Sequence, residues 1–242
     1  ILHGERNREK NDMEKREKMF PEGGNWYKGN LHSHTTNSDG KLTPAQSVQA
    51  HKEHGYSFVC FSEHDFYTDN RKEFDCEDFI VLPGLEASTY LIDTTGIERI
   101  PDGISLEQGY VDMTQEELIG LLQQGFSPNR IKTHHIHGIL GTEAMQKAAG
   151  EKVFRKNEHI PFRIYFDHWD GRMAAQKLSD SLKERGCFTT YNHPIWSRVD
   201  MEEVRDLTGI WAIECYNYAT VNECAEGKDT VFWDAMLRRG ND

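Results

Sequence analysis

Short strand-like runs, most of them continuously apolar, alternate with polar segments of helical period from Trp26 onward. The runs are WYKGNLH (26–32), YSFVCFSEHD (56–65), FIVLPGLEAS (79–88), RIKTHHIHGIL (130–140), CFTTYNHP (187–194) and TGIWAIECYN (208–217). Helical patterns fall between and after them at 41–55, 113–125, 170–186, 201–207 and 229–240. In the first helix Thr43 suits the N-cap, Pro44 the first turn and Gly55 the C-terminal end. Thr114 and Glu117 form a capping-box pattern in the second, and Gly186 ends the third. Strands that are apolar throughout, separated by helices, predict a parallel sheet covered on both faces, hence an α/β fold.

Around this alternation the chain is less regular. Residues 1–24 read as a charged arm or helix that leads through Gly23-Gly24 into one domain over 25–242. The stretch 90–130 reads largely as a loop over one face, and 142–170 as an insertion. A formal net charge of −12 argues against gripping a nucleic-acid backbone, which needs a basic face. No apolar run is long enough for a membrane span, and no secretory signal is visible. The five cysteines are odd in number, irregularly spaced and lack a CxxC, so they read as reduced thiols in a cytoplasmic setting rather than a zinc finger.

The polar residues inside this pattern are not scattered. His32 and His34 follow the first strand, His64 ends the second and Glu86 the third. His135 and His137 lie on the fourth, and His193 ends the fifth. The C-terminal rim of an α/β sheet is where side chains distant in sequence converge on a site. His32 and His34, two apart on a strand, face the same way, as two imidazoles chelating one ion must. Imidazoles with carboxylates suit Zn²⁺, Mn²⁺ or Fe²⁺ better than Mg²⁺ or Ca²⁺. His135 and His137 share one strand face, and spacing alone does not choose between them.

Taken in order, NLHSHTTNSDG, FVCFSEHD, LPGLEAS, YNHP and IECYN resemble the motifs of the PHP (polymerase and histidinol phosphatase) superfamily, from about residue 26 to the end. The second motif departs from the family's usual Asp-His by reading Glu63-His64. The resemblance implies a distorted (β/α)7 barrel with two or three divalent transition metals. It implies that His32 and His34 bind the first ion, that Asp39 and His64 bind the second, and that Glu86 bridges. His135, preferred over His137, and His193 would bind the third. The family's closing Asp-x-His strand has no counterpart before Asp242, so the seventh strand is expected to be missing from this sequence.

The expected chemistry is hydrolysis of a small phosphorylated substrate by a metal-activated water, with no Ser or Cys nucleophile motif in view. Hydrolysis of an amide, ester or carbamate on the same scaffold is the alternative, and a non-catalytic metal-binding regulatory domain is a third reading. Arg198 is a candidate for gripping a substrate phosphate, or else a surface ion-pair residue. Asp65 reads as a partner for a ligating histidine or as a turn cap. Asp167, His168 and Asp170 read as a polar turn, His51 and His54 as solvent-facing, and Trp196 and Trp211 as core.

Overall fold

The computed structural model describes residues 23–92, 120, 123, 131–160, 164–166 and 171–238. The charged arm up to residue 22, the capping box at Thr114 and the turn holding Asp167, His168 and Asp170 lie outside them. Strand β1 (Gly29–Ser33) leads through a tight loop to helix α1 (Pro44–Glu53). Thr43 caps that helix: its side chain accepts the Gln46 N–H while the Gln46 side chain returns to the Thr43 backbone. Gly55 closes it at φ +74°, a conformation that disfavours side chains with a Cβ. Strands β2 (Phe58–Phe61) and β4 (Ile80–Leu82) continue the first sheet, with the short β3 (Phe66–Tyr67) and α2 (Arg71–Phe74) between them. This sheet runs β1-β2-β4, all parallel. Val48 of α1 joins Val59, Phe61, Phe79 and Val81 in a small buried cluster against it.

A second sheet forms the main body. Strands β5 (Gly84–Ile92) and β6 (Ile131–Leu140) are followed by α3 (Glu143–Ala149), β7 (Glu158–His159) and β8 (Ile164–Phe166). Helix α4 (Gly171–Glu184), β9 (Cys187–Tyr191), α5 (Pro194–Ser197), α6 (Met201–Val204), β10 (Ala212–Ile213), α7 (Tyr218–Cys224) and α8 (Thr230–Arg238) complete the order. The strands run β10-β9-β6-β5-β8, and β3 with β7 makes a separate antiparallel pair. Helix α4 lies across β5, β6 and β9. It buries Ala174, Ala175, Leu178 and Leu182, a stripe at helical spacing, and the larger core forms around it with Leu85, Ile136 and Tyr191. No helix among the described residues is long and apolar enough to cross a membrane.

Among the described residues the expected (β/α)7 barrel is not formed. Their strands sort into sheets of three, five and two, none of them closed. Two features depart from barrel alternation. First, β6 pairs antiparallel with β5 from Gly84↔Ile139 to Ile92↔Ile131, and β9 pairs antiparallel with β6. Secondly, the predicted strand 79–88 is split by Pro83, which has no N–H to give a ladder, so β4 and β5 belong to different sheets. The isolated bridges His64↔Glu86 and Thr68↔Gly84 link the stretch after β2 to β5. The supposed insertion also contributes regular structure, since β7 pairs with β3 and β8 runs parallel to β5. The last predicted strand shrinks to Ala212–Ile213, and Trp211 beside it is 61% exposed rather than core.

Candidate metal centre

Glu86 sits near the start of β5, 1% exposed, and the other expected ligands gather round its carboxylate. Its Oε1 lies 3.1 Å from His193 Nε2 and 3.3 Å from both His32 Nε2 and His135 Nδ1. Its Oε2 lies 3.2 Å from His64 Nδ1 and 3.4 Å from His34 Nε2. Asp39, with a side chain 66% exposed, flanks the second set at 3.3 Å from His34 Nδ1 and 3.5 Å from His64 Nε2. All seven expected ligand residues therefore meet in one place. Among the described residues three groups have the reach to hold a metal ion: His32–Glu86–His193, His34–Asp39–His64 and His64–Glu86–His135. Their membership differs from the pairing the resemblance implied. His32 and His34 face each other with Nε2 atoms 3.0 Å apart, but they approach different Glu86 oxygens and fall in different groups.

Local sequence explains the convergence. The loop after β1 is folded back by Ser38 and Gly40 N–H groups that both donate to Thr35 O. A Cβ at Gly40 would stand 2.3 Å from His34 O, so the turn closes only around a glycine. Buried Glu63 locks the same loop to the end of β2, accepting the Thr35 N–H and hydroxyl and the Ser38 hydroxyl. The next peptides zip onto β5: Glu86 N–H donates to Glu63 O, and Asp65 N–H to Glu86 O. Asp65 adopts φ +51° and accepts the Ser88 N–H on its carboxylate. His193 also sits at positive φ, +24°, where a non-glycine residue is strained by about 1–3 kcal/mol. Its N–H donates to Glu214 Oε2, and neighbouring Asn192 donates to Glu86 Oε1 at 2.6 Å, which holds the conformation in place.

The chemistry of the donor set fits a bound cation. Metal–ligand bonds of ~2.0–2.2 Å place neighbouring ligand atoms ~3.0–3.5 Å apart, and the contacts above lie in that range. Glu86 Oε2 and His135 Nδ1 are buried without a hydrogen-bond partner. Burial raises the Glu86 carboxyl, but the charge of His32 and the hydrogen bond from His193 outweigh it and hold the group well below its ordinary range. Burial pushes His135 down to about 4, against the pull of Glu86, so this imidazole is neutral at neutral pH, as a ligand needs. Burial also opposes a charge on His32, yet Glu86 and the hydrogen bond to Glu214 lift it to about 10.

The raised His32 has a measurable consequence. At pH 7.5 the metal-free site carries a proton on His32 that a cation must displace, because the folded value lies above the ambient pH. Metal uptake should therefore release about one proton from this residue, and apparent affinity should rise roughly tenfold per pH unit below the raised value. Calorimetry in buffers of different ionisation enthalpy measures that proton directly; uptake with no proton released would contradict it.

His137, the other candidate on β6, is buried, with Nδ1 3.3 Å from the Thr190 hydroxyl and its ring edge-on to His32 at 4.3 Å. His51 is not solvent-facing: Nδ1 donates to Ser47 O and Nε2 lies 3.1 Å from the Asn30 side-chain amide. Trp196 packs against the rings of His135 and His193 and donates Nε1–H to Glu223. The cluster opens into a cleft of about 580 Å³ whose described lining includes Asp39, Glu86, Glu214 and Glu223, with no Lys or Arg. Arg198 does not line it; this residue is exposed at the end of α5 in the left-handed region. Glu63, Asn192 and Glu214 were not among the expected site residues, although each stands just beyond a strand end in one of the motifs above. Neither a scan against protein-family models nor a search of curated proteins finds a match for this chain.

Proposed function

We propose that this chain is a metal-dependent hydrolase of the PHP type that cleaves a phosphoester of a small molecule. The observation that carries this reading is the buried Glu86 carboxylate with five imidazoles around it and Asp39 at the mouth, all opening on one cleft. Two or three ions of Zn²⁺, Mn²⁺ or Fe²⁺ suit these nitrogen and oxygen donors. When bound, such ions acidify water to furnish a nucleophile at neutral pH and offset charge on phosphoryl oxygens. The chain's own residues hold that arrangement. Glu86 belongs to two of the three groups, His64 links the second group to the third, and Trp196 packs against the rings of His135 and His193.

A neutral carbonyl substrate is the competing reading, favoured by the lack of Lys or Arg in the described lining. Purified protein reloaded separately with Mn²⁺, Zn²⁺ or Fe²⁺ is assayed against p-nitrophenyl phosphate and p-nitrophenyl acetate. The proposal expects metal-dependent turnover of the phosphate and a fall of at least about 100-fold in His64→Ala, the scale on which metal-site lesions act. Turnover of the acetate alone would replace it with the ester or amide reading. No turnover of either, with metal bound, would leave a binding domain.

A further inference from the structure

Glu214 stands immediately after β10 and is held there by its own N–H donating to Tyr191 O at 2.8 Å. Its side chain is largely covered and reaches in two directions. Oε1 lies 3.0 Å from His32 Nδ1, and Oε2 accepts the His193 N–H at 3.1 Å. Asn217 Nδ2 braces Oε1 at 3.2 Å. His32 Nδ1 is the nitrogen turned away from the cluster, since Nε2 is the atom near Glu86. One carboxylate thus touches both histidines of the His32–Glu86–His193 group.

Resting on the metal-centre reading above, we propose that Glu214 is a positioning residue for one ion only. It accepts the Nδ1–H of His32, which leaves the Nε2 lone pair aimed into the cluster, and it fixes the strained His193 backbone beside it. A carboxylate on the far nitrogen of a ligating histidine fixes the ring and raises its basicity, and its loss costs about 10–100-fold in metal affinity. The His34–Asp39–His64 group has its own brace in Glu63 and the loop after β1, so it does not depend on Glu214.

The test is Co²⁺ titration of the full chain, followed by visible absorption and elemental analysis, for the unsubstituted protein, Glu214→Gln and Asp39→Asn. Glu214→Gln is isosteric, but its single carbonyl oxygen serves only one of the two contacts. One class of site should weaken by about 10–100-fold while the other stays within about threefold. Asp39→Asn, at an exposed position, should do the reverse. In zinc-loaded protein, the slowly exchanging imidazole N–H resonance of His32 should be present with Glu214 and lost with Gln. Equal weakening of all sites, or none, in Glu214→Gln would overturn the assignment while leaving the metal centre standing. No uptake by the unsubstituted protein would overturn both.

Discussion

On the proposed metal-centre reading, Glu86→Gln should strip the protein of the ions that Glu86 touches. The carboxylate has a ring nitrogen of His32, His135 and His193 near one oxygen and of His34 and His64 near the other. Gln keeps the shape and an acceptor for Asn192, but it removes the charge and turns an N–H₂ toward one set of imidazoles. Loss of an outer-shell partner costs about 10–100-fold in affinity, so loss of this shared ligand should exceed about 100-fold for each ion it touches. Elemental mass spectrometry of purified protein after dialysis reads the result directly. In the metal-free protein the same change also removes the charge facing His32, and breaking a buried pair on one side costs ~3–5 kcal/mol. Wild-type metal content in Glu86→Gln would show that the cluster is not where ions bind.

Chelation is the second large effect. The candidate ligands come from both sheets and from the loops between them, while the apolar core of the described residues is divided into two clusters. An ion held by these residues therefore ties parts of the molecule that hydrophobic contact joins only weakly. At a free-ion concentration about 1,000 times the dissociation constant, one site stabilises the fold by ~4 kcal/mol. For a chain of this size each kcal/mol moves the melting temperature by about 2–4 °C, so chelation should lower it by roughly 8–16 °C. Adding back the ion should restore it, and Glu86→Gln should respond to chelator much less than wild type, since only the His34–Asp39–His64 group lacks Glu86. Scanning calorimetry with and without EDTA checks all three; identical melting of loaded and chelated wild type would sink the idea.

Much of this centre could be read from the chain because its ligands end apolar runs. His32, His64 and His193 each stand at the end of a strand or just past it, and a strand end points its last side chains at whatever lies beyond the sheet; Glu86, expected to end a strand, instead stands near the start of β5, because Pro83 splits the run that carries it. Thr43 with Pro44 was equally legible, because a cap is decided within four residues. Sheet direction was not. The run IKTHHIHGIL is apolar and β-branched enough for either sense, and only its pairing with Gly84–Ile92 makes it antiparallel. Glu214 was missed because its partner His32 lies 182 residues away, beyond the reach of any local pattern. Trp211 was misplaced because an aromatic ring in an apolar run says nothing about which edge of a sheet the run occupies.

The makeup of the cleft wall sets an order of events. Asp39, Glu86, Glu214 and Glu223 face the same space, and no described lining residue carries a fixed positive side chain. Without cations such a wall repels any anion that approaches, and with two or three of them bound the sign of the field at its floor reverses. For an anionic substrate, occupancy by metal is then an admission step as well as a chemical one: the ions bind first, and the substrate follows.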